Sequence, residues 1–266
     1  MRKDFKIIVL IKQVPDIEKV RFDVEKGRVD RSSAPAETNP FDLNALEAAL
    51  QIKERYGGVV TVISMGPRQA ESSLKDAIAR GADRAILLTD PRLAGADTIA
   101  TARALAAAVR KLGEFDLILC GEKTVDGDTG QVGPEVAELL GIPHAAYVCE
   151  LREVSGDKVV VVSDMGDKYL YELKLPALLT VTRELNSPRL PTLKDLLRAK
   201  RAKIEVWTAD DLSEYVPVDM LGYQGSRTRV VKVVIPSAEH RKGIIYRGED
   251  AVEKIAEILL SEVAAG

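Results

Sequence analysis

The chain has 266 residues, of which 46% are hydrophobic and 30% are charged, with a formal net charge of -3. This length and apolar content are sufficient for one large core. The acidic balance and an aromatic content of only 5% do not favour a protein that binds nucleic acid.

Short apolar runs alternate with amphipathic segments along most of the chain. The runs are rich in β-branched residues and predict buried parallel strands at residues 5–11, 59–65, 84–88, 115–120 and 177–181. Amphipathic helices are predicted from Phe41, from Ala70, from Asp97 as an N-cap, and over residues 131–140. This alternation predicts an α/β protein with a doubly wound, mostly parallel sheet in three layers.

The second half of the chain departs from this alternation. Residues 147–151, 158–163 and 169–175 alternate with period two and predict an antiparallel meander added to the sheet. After a looser connecting stretch, the pattern predicts a strand at 230–235 and a helix at 249–263. We therefore divide the chain into an α/β domain, residues 1–209, and a C-terminal arm, residues 210–266. The pattern leaves open whether the arm packs on a partner or on its own domain.

The densest chemical signal is a Gly-, Asp- and Thr-rich loop between a predicted strand and a predicted helix. Open α/β sheets bind ligands at the carboxyl ends of their strands. Glycines let the backbone approach a ligand, and amides at a helix start suit a phosphate or pyrophosphate. The residues of this segment that we expect to bind a nucleotide cofactor are Cys120, Gly121, Asp128, Thr129, Gly130, Gln131, Val132, Gly133 and Pro134.

Other strand ends and helix starts are expected at the same crevice and would complete a nucleotide pocket. These additional cofactor-binding candidates are Asn39, Met65, Gly66, Asp97 and Thr98. Each of them is equally compatible with an ordinary cap or turn, and the loop itself matches neither a GxGxxG nor a Walker pattern. Its acidic residues are unusual beside a phosphate and would either order the turn, hold ribose hydroxyls or face a cationic partner.

Cysteines and histidines show no metal-ligand spacing. Cys120 and Cys149 end apolar runs and are expected to be small buried side chains. No nucleophile–base set or carboxylate pair stands out, so we assign no catalytic residue and no metal site. The N-terminus lacks a signal-like apolar region, and no segment has the ~20 apolar residues of a membrane span. We expect a cytoplasmic protein without direct membrane insertion.

Several stretches, in the same order, are similar to the beta subunit of electron-transfer flavoproteins. The resemblance runs from about residue 6 to residue 206, and the GDTGQVGP loop and the last stretch are its most specific parts. The matching stretches are KQVPD from Lys12, NPFD from Asn39, SMGP from Ser64, RGAD from Arg80, DTGQVGP from Asp128, and LPALLTVTRELNSPRLPTLKDLLRAKRAKIEV from Leu175.

The resemblance implies a heterodimer with a larger alpha subunit that carries one FAD, and a second adenine nucleotide in the crevice of this chain. In one branch of the family this nucleotide is a structural AMP. In the electron-bifurcating branch and its nitrogen-fixation-associated relatives it is FAD, which NADH reduces. The AMP branch resembles Lys-Arg-Val-x-Asp after the first strand, whereas this chain has Gln13 and is more similar to the bifurcating branch. Gly130 departs from that branch, where many relatives have alanine.

The resemblance therefore implies FAD as the cofactor, with AMP as the alternative, and NADH as the electron donor. The chain would be a subunit of an NADH-oxidising bifurcating complex or, failing that, part of an electron carrier. A free-standing nucleotide-binding module of the universal-stress type is the alternative outside this family. An ATP-cleaving relative is disfavoured, because residues 11–16 contain no glycine for a phosphate loop.

Residues 188–203 form a proline-bounded loop followed by a short basic helix. By pattern alone, a solvated helix is an equally good interpretation. The resemblance implies that this segment docks dehydrogenase partners, with Leu193 as the anchor and Arg198 and Arg201 as cations beside it. The acceptor stays open among a dehydrogenase, a quinone-reducing partner, ferredoxin and flavodoxin.

Overall fold

The computed structural model describes residues 4–16, 19, 21–23, 28–30, 35–229, 231, 243 and 245–265. Its strands are β1 (Phe5–Leu10), β2 (Gln13–Pro15), β3 (Arg21–Asp23), β4 (Arg28–Asp30), β5 (Ala36–Thr38), β6 (Gly58–Met65), β7 (Arg84–Leu88), β8 (Leu117–Gly121), β9 (His144–Val154), β10 (Lys158–Asp164), β11 (Lys168–Lys174), β12 (Ala177–Val181) and β13 (Glu205–Trp207). Its helices are α1 (Pro40–Tyr56), α2 (Glu71–Arg80), α3 (Thr98–Leu112), α4 (Val132–Leu140), α5 (Leu193–Lys200), α6 (Ala209–Leu212), α7 (Gly222–Gly225) and α8 (Ala251–Ala265).

Nine of the described strands form one sheet in the order β11-β10-β9-β12-β8-β1-β6-β7-β13. In the part of this sheet that runs from β9 to β13, every neighbouring pair of strands is parallel. The remaining two pairs, β9 with β10 and β10 with β11, are antiparallel. The predicted α/β fold, with its mostly parallel sheet and antiparallel meander, is confirmed. The meander begins at His144, earlier than predicted, because the first residues of β9 pair with β12 before the strand turns outward.

Two apolar layers cover the sheet, one on each face. Along β1, Ile7 and Val9 point into the layer built by α1, α2 and α5, while Ile8 and Leu10 point into the layer built by α3, α4 and α6. Successive residues of a strand face opposite sides of the sheet. A continuous apolar run therefore places apolar side chains in both layers. The sequence of β1 therefore predicted a central strand correctly.

The chain crosses to opposite faces on either side of β1. Helix α1 leads from β1 to β6 on one face, and α3 leads from β7 to β8 on the other. The strand order thus reverses between β1 and β8, which is the topological switch point where open α/β sheets form their ligand crevice. Three of the predicted stretches meet there: the ends of β1 and β8 and the start of α1.

The segment that follows β13 packs on the α3 side of the sheet. Ala209, Leu212 and Leu221 are buried in that layer, so short helices occupy the predicted connecting stretch. The predicted strand at 230–235 lies outside the described residues except for Val231. The predicted terminal helix is present as α8, and the division of the chain at residue 209 stays a prediction. Among the described residues, no helix is long and apolar enough to cross a bilayer.

Candidate functional site

Asp42 joins the two strand ends that flank the switch point. One carboxylate oxygen of Asp42 accepts the backbone N–H of Lys12, just beyond β1, at 2.8 Å, and the other accepts that of Gly121 in β8 at 2.9 Å. The side chain is buried in the first turn of α1. Burial raises the pKa of Asp42 to about 7, and its hydrogen bonds only partly offset this. The crevice thus contains a carboxyl group that titrates near neutrality.

Asn39 holds the loop that follows β8. Its amide nitrogen donates to the carbonyl of Lys123 at 2.9 Å, and its amide oxygen accepts the N–H of Val125 at 3.2 Å. Asn39 is also the N-cap residue of α1, and Pro40 fills the first helical position, where a missing N–H costs nothing. The start of α1 therefore sets the path of the predicted nucleotide loop, in agreement with the sequence-based grouping of Asn39 with that loop.

Two of the predicted glycines contact protein. A Cβ at Gly121 would lie 2.5 Å from the Cβ of Phe41, and a Cβ at Gly133 would lie 2.5 Å from the Cγ2 of Thr180 in β12. Both distances are too short for real side chains. Gly121 thus lets the first turn of α1 approach β8, and Gly133 lets α4 approach β12. The close approach that the sequence predicted at these two positions is between elements of the fold itself.

Gly130 differs from them because it is open to the crevice side of the loop. Its φ is +65°, in the left-handed region, and a Cβ there would find only ordinary contacts, the nearest at 3.5 Å from the Tyr147 hydroxyl oxygen. The backbone N–H groups of Thr129, Gly130, Gln131 and Val132 donate to no acceptor within the described part of the chain. Unpaired amides at the N-terminus of a helix are groups to which anions commonly bind.

The acidic residues of the loop are paired with lysines. Lys12 Nζ lies 2.7 and 2.8 Å from the two carboxylate oxygens of Asp126, and Lys123 Nζ lies 2.8 Å from Asp128. The side chain of Asp126 is 6% exposed and that of Asp128 is 69% exposed. The sequence left open whether these acidic residues order the turn, hold ribose hydroxyls or face a cation. In the structure they face lysines of the same chain. These carboxylates therefore do not present unbalanced negative charge to a phosphate.

Thr98 connects the starts of α3 and α4. Its hydroxyl is 3.1 Å from the side-chain oxygens of both Gln131 and Glu135. Burial raises the pKa of Glu135, so the carboxyl favours its protonated form more than an exposed glutamate does. The sequence-predicted pair Thr98 and Gln131 is thus brought together, and Glu135 is a neighbour that sequence reasoning missed.

Asp97 is directed away from the loop. Its carboxylate caps α3 by accepting the N–H of Ala100 at 3.0 Å, and it also accepts those of Arg227 and Thr228 at 2.7 and 2.8 Å. Burial opposes ionisation of Asp97, but these hydrogen bonds outweigh it and lower its pKa. The structure therefore uses Asp97 to attach the segment after α7, while its predicted N-cap role is found as expected.

Met65, Gly66 and Cys120 lie at the same edge of the sheet as the loop. The N–H of Gly66 donates to the carbonyl of Leu88 at 3.0 Å, which continues the β6–β7 pairing past the strand end. Cys120 is buried, as expected, and burial together with the charge of Asp42 raises the pKa of its thiol. Cys149 is half-buried, so its predicted burial is only partial. Both cysteines are free thiols.

A cleft of about 840 Å³ adjoins the loop on the α1 side. Its walls include Phe41, Lys123, Val125, Asp128 and Arg183. The Arg183 guanidinium carbon lies 4.7 Å from the centre of the Phe41 ring, and Lys123 Nζ lies 6.0 Å from it, both within cation–π range. Sequence reasoning missed Arg183, because only the topology brings the end of β12 beside α1.

The predicted docking residues lie apart from this crevice, on and beside α5. The Leu193 side chain is 73% exposed, and Leu190 and Leu197 are exposed as well. Arg198 forms an ion pair with Asp195 within the helix, at 3.3 Å, and Arg201 is the C-cap residue. The result is an apolar surface with basic residues beside it, whose role in docking stays a prediction.

Comparison with known proteins identifies the family. The electron transfer flavoprotein domain matches residues 26–212. The chain is 48% identical over 259 residues to the electron transfer flavoprotein subunit beta of Thermoanaerobacterium thermosaccharolyticum, covering 96% of this chain and 98% of that protein. It is 40% identical over 264 residues to Protein FixA of Azorhizobium caulinodans, covering 97% and 93%.

A third relative, the caffeyl-CoA reductase-Etf complex subunit CarD of Acetobacterium woodii, is 39% identical over 236 residues, covering 88% of this chain and 89% of that protein. All three relatives are matched over most of their length. The family predicted from the sequence motifs is confirmed. The chain belongs to the electron transfer flavoprotein family, as a beta subunit that pairs with an alpha subunit and serves electron transfer.

Proposed function

We propose that this beta subunit binds FAD in the crevice between β1 and β8 and takes part in NADH-dependent electron bifurcation. The observation that carries the proposal is the cleft of about 840 Å³ beside a loop whose amides have no acceptor in the described chain. Ligand pockets span roughly 300–1,000 Å³, so this cleft lies in the upper part of the range. This volume accommodates either nucleotide, so the preference for FAD over AMP rests on Gln13 and on the relatives.

The residues around the crevice suit such a ligand. The amides of Thr129 to Val132 would hold the diphosphate at the N-terminus of α4. Arg183 lies over the buried ring of Phe41 and presents its positive charge to a cleft whose other walls carry several carboxylates. When bound, a flavin accepts a hydride from reduced nicotinamide and passes electrons on singly. The protein's contribution is binding and orientation, consistent with a site where we assign no acid–base or nucleophilic residue.

Gln13 lies at the position that distinguishes the two branches of the family. Its amide nitrogen donates to the carbonyl of Gln69 at 3.0 Å and to the hydroxyl of Ser72 at 2.6 Å. This neutral side chain is therefore bound to the start of α2. The AMP branch has an arginine at the position of Gln13. The similarity to Protein FixA and to a subunit of a caffeyl-CoA reductase-Etf complex supports the same assignment.

We also propose how the chain contacts its partners. The exposed leucines and basic residues of residues 190–201 would dock a dehydrogenase or a quinone-reducing partner, with ferredoxin or flavodoxin as a further acceptor. The C-terminal arm would pack on the alpha subunit, which carries the second FAD. Helix α8 supports this role because apolar side chains such as Val252, Ile255 and Leu259 are exposed along it.

The test is the nucleotide content of the purified heterodimer. Denaturation should release two FAD per heterodimer, and NADH should reduce flavin in the native complex. One FAD with one AMP would overturn the bifurcating assignment in favour of the structural-AMP alternative. Membership of the family already displaces the free-standing module of the universal-stress type, because that alternative contains no alpha subunit.

A further inference from the structure

We propose that Arg189 is a positioning residue: it fixes the docking segment, residues 190–201, to helix α1 and thereby sets how tightly a partner binds. The inference rests on the docking role proposed above for that segment. It concerns a half-buried residue that directly precedes the exposed leucines and lies outside the walls of the crevice.

Arg189 binds two carboxylates on the same face of α1. Its Nε and Nη2 lie 2.8 and 3.0 Å from the two oxygens of Glu47. Its Nη1 and Nη2 also pair with both oxygens of Glu54, two helical turns further along. The planar guanidinium has five donors in a fixed geometry, which allows this double bidentate arrangement. A lysine at this position would keep the charge but not the geometry.

The inner carboxylate of this pair is largely shielded from water. The Glu47 side chain is 6% exposed, whereas that of Glu54 is 59% exposed. Burial opposes ionisation of Glu47, but the hydrogen bonds from Arg189 and Gln51 outweigh it and lower its pKa. Glu47 also accepts the backbone N–H of Arg189 at 3.1 Å. The main chain and the side chain of Arg189 are therefore both attached to one buried acceptor.

Two further contacts fix the backbone around Arg189. The carbonyl of Arg189 accepts a hydrogen bond from Arg80 of α2 at 2.5 Å, and Arg80 is itself held by Asp76 at 2.8 Å. Three residues earlier, the buried Asn44 donates to the carbonyl of Asn186 at 2.7 Å and accepts from the Asn186 side chain at 3.0 Å. The segment is thus attached to both helices of its layer immediately before the exposed leucines begin.

The consequence is an exposed apolar segment that is held in one arrangement. Leu190 directly follows Arg189 and is 84% exposed, so its own burial does not hold it in place. Preorganisation lowers the entropy that must be lost when a partner binds. Without the Arg189 contacts the segment would sample more conformations, and the partner would bind more weakly. The rate of electron transfer within the bound complex would change little.

The experiment measures electron delivery from the purified heterodimer to an acyl-CoA dehydrogenase of the same organism, used as the probe acceptor. For Arg189→Lys we expect the KM for the dehydrogenase to rise about 3- to 10-fold, with kcat at saturation and flavin content unchanged. Arg189→Met should have a larger effect. Glu54→Gln is the matched control: it removes the exposed carboxylate and leaves the Glu47 pair, so its KM should rise less than twofold.

Leu193→Ala separates the inference from the docking function on which it rests. If Leu193→Ala raises the KM and Arg189→Lys does not, the positioning role is overturned and docking survives. If neither variant changes the KM, the docking function itself fails. A loss of flavin or a fall in kcat in Arg189→Lys would show that the arginine only stabilises the fold. Protection of residues 186–201 from hydrogen exchange in the same variant supplies a readout independent of the probe.

Discussion

Lys12 and Asp126 form an ion pair that bridges the two strands of the switch point. Lys12 follows β1, Asp126 lies in the loop after β8, and Lys12 Nζ is 2.7 and 2.8 Å from the two carboxylate oxygens of Asp126. The Lys12 side chain is 43% exposed while that of Asp126 is 6% exposed. The nucleotide loop is therefore attached to the KQVPD segment by a charge pair that only partly contacts water.

Replacing Lys12 with methionine should loosen the loop. The substitution removes a cation from a carboxylate that water hardly reaches, so the cost should lie between that of surface and buried pairs, about 1–2 kcal/mol of unfolding free energy. We expect roughly tenfold weaker nucleotide retention, measured by ultrafiltration of the heterodimer. Lys6→Met is the control, because its partner Glu114 is 88% exposed and Lys6 lies at the opposite end of β1 from the loop. Equal effects of the two substitutions would contradict a special role for Lys12.

Gly130→Val should reduce nucleotide retention beyond its effect on stability. Gly130 and Gly141 flank α4 with nearly the same left-handed backbone, φ +65° and +69°. A side chain on a left-handed backbone costs about 1–2 kcal/mol of stability. Gly130→Val and the control Gly141→Val should therefore be destabilised to a similar degree. Only Gly130→Val places bulk beside the free amides, and only this variant should lose cofactor. Unchanged cofactor content in Gly130→Val would show that the loop does not bind the anion.

Gly133→Ala should destabilise the fold even when no nucleotide is bound. The new Cβ would lie 2.5 Å from Thr180 and 3.0 Å from the sulfur of Cys120, so α4 must move away from the sheet. Overpacking of this kind costs about 1–3 kcal/mol. Thermal unfolding of the nucleotide-free protein should reveal the loss. A melting temperature equal to that of the parent protein would contradict the close packing of α4 on β12.

Asp42 should make stability depend on pH between about 4 and 7. Burial is the main reason why its pKa in the fold is raised to about 7 from the ordinary value of 3.8. The folded state therefore holds a proton that the unfolded state releases, and stability should fall as the pH rises through this window, by on the order of 4 kcal/mol.

Asp42→Asn is the variant that tests this titration. It should flatten the pH profile of denaturant unfolding between pH 4 and 7, because it removes the ionisable group. It should also lower stability at acid pH by about 1–3 kcal/mol, since an amide nitrogen cannot accept an N–H as the carboxyl oxygen does. A profile parallel to that of the parent protein would mean that Asp42 is ionised throughout.

Local pattern was sufficient for eight of the nine strands of the large sheet and for the longer helices, but it missed β13 and the short strands β2–β5. The apolar runs of β1 and β8 are buried on both sides, and each residue of such a run serves one of the two layers. The cap residue Asp97 was also predicted from the sequence, because a cap depends on neighbouring residues. The resemblance supplied the family, which the match over residues 26–212 confirms.

Contacts between distant residues were beyond the reach of local pattern. The partners of Asp126 and Asp42 lie 114 and 79 residues away in the chain, and Arg183 reaches Phe41 from the end of another strand. Local sequence also did not distinguish Gly130, where a Cβ would make only ordinary contacts, from Gly133, where it would clash with Thr180. Both are glycines in the same loop and helix start, and only their surroundings differ.

By itself, the sequence determined the main strands and helices in chain order, the glycine-rich loop after β8 as the candidate cofactor-binding segment, and the family, because each depends on neighbouring residues or short motifs. The tertiary structure decided which charges neutralise that loop, which glycines serve packing, and how Arg189 attaches the exposed leucines to α1. These depend on which strands become neighbours, and strand order follows from the burial of both faces of the sheet by the whole chain.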